Sequence, residues 1–470
     1  MNFESNYQQC LEKLVWASSQ LQAEVTQEQL TKIAKLIVQT MTGPWRYFHA
    51  SEHIFAVGGS SDGIEVLSAL FHDVVYVQID GCVNFNLTCY LAPFIREEAG
   101  QLYIKEQTEY QNDAIYEIVL KVFDFAPGQV LSPLVGQNEF LSALVAAKVL
   151  EPLFTPKIIV QIAACIEATI PFRSKSELGL SSNEVLCDRL RTTNNQFKLE
   201  LTEAEIILTI KRSVRLANRD VYSFAHPNSE VFLANTWSLL PETNHNLQKS
   251  NSYTVRDYRI ALQKMSGFLS FLKPELVFRQ FQGEPDDQTY QGLIERTSKN
   301  LRVARLYLQS KLVVIAILEA LSLRMGQDVS LTIMMGELPS SSVDIGRLAD
   351  YFPKLIDDYQ PSNEIEREVL NLLEIGRSDS SAYDLKTSPL AFFLVKYIGF
   401  ESIHSMHKKV EGVALTQAFF QGIISPEDFL ASCNHDLIQI ITNGVGKLLQ
   451  NRREALSGSK PDNLGLIGID

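Results

Sequence analysis

The feature that most constrains this chain is the recurrence of helix-start signals ahead of apolar residues at three- and four-residue spacing. Thr26 and Gln29 match a capping box, in which two side chains satisfy backbone donors that a helix start leaves orphaned. They predict a helix running toward Met41 and stopped by Gly43-Pro44. A second helix is expected from about residues 46–51 to Gly58-Gly59. Ser60, Ser61 or Asp62 can cap a third, with Ile64, Leu67, Phe71 and Val74/Val75 at helical spacing. A spacer of about five residues makes this pair antiparallel neighbours. Thr202 with Glu205 repeats the capping box before a helix expected to reach Asp220. Further helices are expected over 138–150, 157–169, 255–272 and 288–322.

The fold class that follows is all-α. Residues 77–79, 83–87 and 102–104 have some β character, so a small hairpin or an irregular insertion is expected within 77–115. Residues 174–182 and 191–196 look like loop and polar connection. A Gly-, Ser- and Met-rich stretch at 325–342 marks the expected boundary between a domain over 1–324 and a helical C-terminal domain over 343–458. The tail 459–470 is expected to be disordered.

Composition narrows the partners. A net charge of −13 argues against general nucleic-acid binding, which draws its affinity from a basic surface. The six cysteines include no C-x-x-C pair and read as reduced, packed thiols. The first residues carry neither a basic region nor an apolar run of the export type. The apolar stretch at 312–323 is expected to be too short for a bilayer. A cytoplasmic protein without a membrane partner is expected.

The chemistry concentrates in Arg46-Tyr47-Phe48-His49-Ala50-Ser51-Glu52-His53-Ile54 and Ala69-Leu70-Phe71-His72-Asp73-Val74-Val75-Tyr76. A metal site needs imidazole and carboxylate groups converging from separate elements. His53 on one helix can face His72 and Asp73 on its neighbour, and His49, one turn before His53, is a further ligand or substrate contact if the helix includes it. An ordinary hydrogen-bonded polar cluster on a helical scaffold is the plain alternative. His435-Asp436, with His404 and His407 upstream, serves as an internal control. Its flanks are polar and no short helical hairpin links its members, so it is not expected to bind metal.

Residues 46–76 resemble the HD superfamily of metal-dependent phosphohydrolases. The subgroup signature is R-x-Y-H-x-x-x-H-I followed by F-H-D-x-V-Y. Arg46, His49, His53, Ile54, Phe71, His72, Asp73, Val75 and Tyr76 match, while Phe48 replaces the tyrosine. The resemblance implies an HD-type helical bundle and a divalent metal ion (Mn, Ni, Fe, Zn or Mg) held by H…HD…D. It also implies hydrolysis of a phosphorylated small molecule: a nucleotide, phosphomonoester or phosphodiester. The fourth ligand it calls for is a later aspartate. Asp220 is preferred because it shares a face with Ile206, Ile210, Ser213 and Ala217, where a lone carboxylate needs a partner; Asp188 is the alternative.

Within this resemblance Asp73 would also orient a water, and Arg46 or Arg219 would carry leaving-group charge. Arg173 is expected as a solvated surface charge or in a salt bridge, and Lys211, Arg212 and Arg215 as a mostly solvent-facing stripe. Two departures matter. The interval from Asp73 to Asp220 is long for this superfamily, which implies an insertion at about 77–160. Phe172 stands where the subgroup tends to carry a histidine, which points to one metal rather than two or to altered activity. A catalytically inactive HD-fold module for ligand sensing or protein interaction is therefore the second reading. The apolar stripes at 390–397 and 418–423 are expected in the core, with a homodimer interface as the lesser alternative.

Overall fold

A computed structural model describes residues 3–249, 252–336, 346–354, 359–381, 383–407, 409–410 and 413–457. The expected tail and part of the 325–342 stretch lie outside the described residues. Helices dominate, in the order α1 (Phe3–Gln20), α2 (Gln27–Met41), α3 (Ser51–Gly58), α4 (Gly63–His72), α5 (Val77–Asp80) and α6 (Thr88–Leu91). A two-stranded antiparallel hairpin follows, β1 (Ile95–Glu98) and β2 (Gln101–Ile104), with Ile95 opposite Ile104. Then come α7 (Ala114–Phe123), α8 (Gln137–Leu150), α9 (Pro156–Glu167), α10 (Ser182–Phe197) and α11 (Glu203–Asp220). The remaining described elements are helical apart from one short strand pair, Lys409–Val410 with Val413–Ala414. The all-α expectation with minor β content holds.

Internal contacts divide the chain into two compact units, Met1–Ala225 with Leu272–Ser298, and His226–Phe271 with Lys299–Asp470. This differs from the boundary expected at 325–342. Gly and Ser mark where a helix can stop, but packing decides which helices belong together. The helix Asp287–Arg324 contributes residues to both units. By length and composition that helix could cross a membrane, contrary to the expectation from its apolar stretch, yet 83% of its most apolar window is buried within the protein. Core helices of this kind pass the same test.

In the first unit α4 is the central element. All ten of its residues are buried, and it packs on α1, α3, α8, α9 and α11. Asp62 is the cap that starts it, accepting the amides of Ile64 and Glu65 at 3.0 and 3.2 Å. The turn from α3 depends on glycine: Gly59 has φ +64°, and a Cβ on Gly58 would lie 3.3 Å from the Ala69 Cβ.

Three arginines fasten α11 to α4. Arg212 Nε donates to Asp62 Oδ2 at 2.7 Å. Arg215 Nε and Arg219 Nη2 donate to the two oxygens of buried Glu65, at 2.8 and 2.5 Å. Two members of the stripe expected to face solvent, Arg212 and Arg215, thus join Arg219 in an inter-helix clamp, because their spacing matches the acidic start of α4. Removing one partner of a buried pair typically costs about 3–5 kcal/mol, so this clamp holds the end of α11 in register.

Local expectations fare unevenly. The capping boxes at Thr26 and Thr202 form. α3 begins at Ser51, so residues 46–50 are irregular. Residues 77–79 are helical, 83–87 include a 3-10 turn at Phe85–Leu87, and only 102–104 is strand. The polar stretch 191–196 lies inside α10, opened by a Ser181–Glu184 capping box. α10 buries a narrow stripe, including Leu186, Cys187 and Leu190, too sparse to stand out from its polar surroundings.

Candidate metal centre

Three helix-borne positions and one cap converge in the first unit. His53 lies on α3, His72 ends α4, Asp73 is the residue just past α4, and Asp220 ends α11. α11 packs on both α3 and α4, which brings Asp220 back across a sequence interval of well over a hundred residues. One ligand atom from each side chain lies within 4.8 Å of all the others. His53 Nε2 is 3.0 Å from Asp220 Oδ1 and 3.4 Å from Asp73 Oδ2. His72 Nε2 is 3.0 Å from Asp73 Oδ2 and 3.5 Å from Asp220 Oδ1.

The chemistry of these atoms suits a cation. His72 Nδ1 is 2.7 Å from the Ala69 carbonyl oxygen; that oxygen can only accept, so Nδ1 carries the proton. In the neutral ring Nε2 is then a bare acceptor, as in metal-ligating histidines whose other nitrogen is anchored. It faces Asp73 Oδ2, a second acceptor, and both atoms are buried without a hydrogen-bond partner. Two buried acceptors at this distance need a proton or a metal ion between them.

The titration behaviour follows the same geometry. Burial alone would lower the His53 pKa, but hydrogen bonds and charge from Asp220 and Asp73 raise it to about 9. Burial likewise opposes protonation of His72, and Asp73 with Asp220 outweighs it, lifting the group well above its ordinary value. For Asp220 burial pushes upward, yet the two histidines hold the carboxyl down at about 2. The same balance, led by burial and reversed by His72 and His53, keeps Asp73 well below the carboxylate range.

Arg46 holds this corner in place. Its guanidinium is buried and makes a two-pronged pair with Asp80, at 3.1 and 2.7 Å, while Nη1 donates to the Asp73 carbonyl at 2.6 Å. The arginine caps the carbonyl end of α4 and so fixes the backbone that aims Asp73. Its donors are spent there, which corrects the expectation that it carries leaving-group charge. Arg219 is likewise engaged with Glu65 and the Val57 carbonyl. His49 precedes α3 rather than sharing its face. Its ring lies 5.8 Å from that of His53 and 4.5 Å from that of Tyr76, beside the four-residue set. Asp188 is exposed and paired with Arg191 at 2.8 Å, so it is not the carboxylate partner. Phe172 packs edge-on against Phe224.

The second His-Asp pair sits in a different setting. His435 and Asp436 are exposed in the first turn of His435–Leu456, and His407 Nε2 contacts the Gln309 carbonyl. Among the described residues one group alone has metal-ligand proximity.

Two residues near the cluster had no sequence signal. Glu139 is in the first turn of α8, where an acid reads simply as a partner of the helix dipole. Burial, with added repulsion from Asp73 and Asp220, pushes its pKa up to about 7, and its Oε2 is buried without a partner. Arg279 belongs to the 272–298 segment that returns to this unit late in the chain, and it feels the charge of Asp220. Nothing in the local sequence announces that return. No protein-family model, curated protein or solved structure matches this chain.

Proposed function

We propose that this protein is a metal-dependent hydrolase of a phosphorylated small molecule, of the HD type, acting on a nucleotide, phosphomonoester or phosphodiester. One observation carries the reading: the buried, unsatisfied acceptors His72 Nε2 and Asp73 Oδ2 face each other beside His53 and Asp220. These four residues would hold one divalent ion, and a mixed imidazole–carboxylate set suits Mn, Fe, Ni or Zn better than Mg. When bound, such an ion supplies Lewis acidity toward a phosphoryl oxygen and an acidified water.

The chain's own groups account for the rest. Asp73, held from behind by Arg46, orients the water through a carboxylate oxygen. Glu139, with a pKa of about 7, can hold a proton at Oε2 and deliver it to a leaving oxygen near neutrality. Four ligands in one set match the phenylalanine at position 172, where a histidine for a second ion would be expected.

Metal content of the purified protein, measured beside a phosphatase and phosphodiesterase screen with Mn²⁺, Ni²⁺ or Mg²⁺, tests the proposal. One metal per chain and turnover that His72→Ala and Asp220→Ala abolish are the expected results. Absence of stoichiometric metal would overturn it. Phe172 also favours a second reading, a ligand-sensing module without turnover, which a filled site with persistent inactivity would select.

A further inference from the structure

Among the described residues Arg279 makes no ion pair. Its Nη2 donates to the Ile170 carbonyl, and its Nη1 is buried with no hydrogen-bond partner. Its backbone is fixed by a two-way bond with the Asn218 side chain: the Arg279 amide donates at 2.8 Å and the Asn218 amide group donates back at 2.9 Å. Asn218 is two residues before Asp220 on α11, so the arginine is tied to the helix that carries the last ligand.

The nearby carboxylates do not neutralise it. Glu167 is bonded by both Arg173 and Arg189, so one negative charge already serves two cations. Glu139 is partly protonated near neutrality, with a pKa of about 7. Burial first, and repulsion from Arg173 second, pull the Arg279 pKa down to about 9. A guanidinium is rarely kept buried and unpaired unless a ligand completes it.

Beside it lies a cavity of about 720 Å³, lined by Arg173, Lys175, Asn183, Phe278, Arg279 and Tyr290 among others. The volume falls in the usual range for small-molecule sites, roughly 300–1,000 Å³. The lining combines Arg173, Lys175 and Arg279 with Phe278 and Tyr290, alongside the carboxylates Glu184, Asp188 and Glu275, and guanidinium groups together with aromatic rings suit a ligand that is anionic at one end and apolar at the other.

We propose that Arg279, together with the Arg173 Nε that the pair with Glu167 leaves without a partner and Lys175 at the rim, forms an oxyanion subsite in this cavity for a phosphate of a phosphorylated small molecule, whose organic part lies against Phe278 and Tyr290. That this phosphate belongs to the substrate rests on the hydrolase reading; that the subsite binds phosphate does not. Guanidinium–phosphate pairs supply both charge and fork geometry.

Calorimetric titration of the full chain with inorganic phosphate and with pyrophosphate, in chelator, isolates the subsite from any metal. Wild type is expected to bind, Arg279→Met to lose about tenfold or more in affinity, and Arg279→Lys to fall between. Because Arg279→Met removes an unpaired buried charge, its melting temperature without phosphate should equal or exceed wild type, while the rise that phosphate gives wild type disappears. Lys175→Glu, at an exposed position, should weaken pyrophosphate binding without a packing change. Wild type that binds neither anion, or an Arg279→Met protein with wild-type affinity, overturns the inference. Metal content and turnover, measured separately, decide the hydrolase reading alone.

Discussion

Two buried polar clusters, one in each unit, invite comparison. In the second unit Asp384 is surrounded by donors. Its Oδ2 accepts from Trp237 Nε1 and Tyr258 Oη, both at 2.7 Å, and from Lys311 Nζ at 3.1 Å. Lys311 lies 5.3 Å from the Trp237 ring centre, and the Arg377 guanidinium carbon lies 4.5 Å from it. Apart from Arg377 Nε, donors there meet acceptors or aromatic faces, so the cluster is closed. In the first unit two imidazoles and two carboxylates face one another, and among the described residues His72 Nε2 and Asp73 Oδ2 have no hydrogen-bond partner, so only a proton or a metal ion can balance them. Burial and charge are common to both. What separates a structural network from a ligand site is whether donors and acceptors balance.

The sharpest way to break this contrast is to remove one member of each cluster. His72→Ala is expected to reduce bound metal from stoichiometric to background, read by elemental analysis, while the second unit stays folded. Asp384→Asn should do the reverse: metal content holds, but two buried cations lose their carboxylate and stability falls by about 3–5 kcal/mol, read by denaturant unfolding. Equal losses of metal from both variants would erase the distinction.

A pH series sharpens it further. In chelated protein the folded pKa of His53 is about 9 against an ordinary 6.5. The imidazolium–carboxylate contact therefore contributes fully below pH 6.5 and is lost as pH climbs through 9. The melting temperature of chelated protein should fall over that window, and added metal should remove the fall, because metal replaces the proton. A flat profile in chelator would mean the acceptors are not separated by protons.

Smaller effects follow. Arg46→Lys keeps the charge but loses the two-pronged grip on Asp80, and metal affinity should drop by roughly 10–100-fold, the range for residues that orient a ligand. His435→Ala, in the exposed dipeptide, should change stability by less than about 0.5 kcal/mol and metal content not at all.

The contrast between His72-Asp73 and His435-Asp436 also measures how much the sequence carried. The dipeptides are identical, and only the apolar helix before the first, with His53 one short turn away, marked it. Asp220 was legible because Ile206, Ile210, Ser213 and Ala217 put it on a buried face, which the structure bears out. The boundaries of α2 and α11 were legible from capping chemistry, since a cap acts within a few residues. α10 was not recognised despite its own capping box, as its buried stripe is thin.

The roles of the arginines required the tertiary structure. Arg46 and Arg219 look like free cations in the sequence, yet Asp80 and Glu65 claim them. Arg279 and Glu139 have no local pattern at all; they reach this region only because 137–150 and 272–298 pack against it. Sequence by itself determined the helices, their caps and the ligand types, because those depend on neighbours within one or two turns. Tertiary structure decided which charges are spent on each other and which are left facing a cavity or an acceptor. That balance is struck between residues far apart in the chain, where burial makes every unpaired group costly.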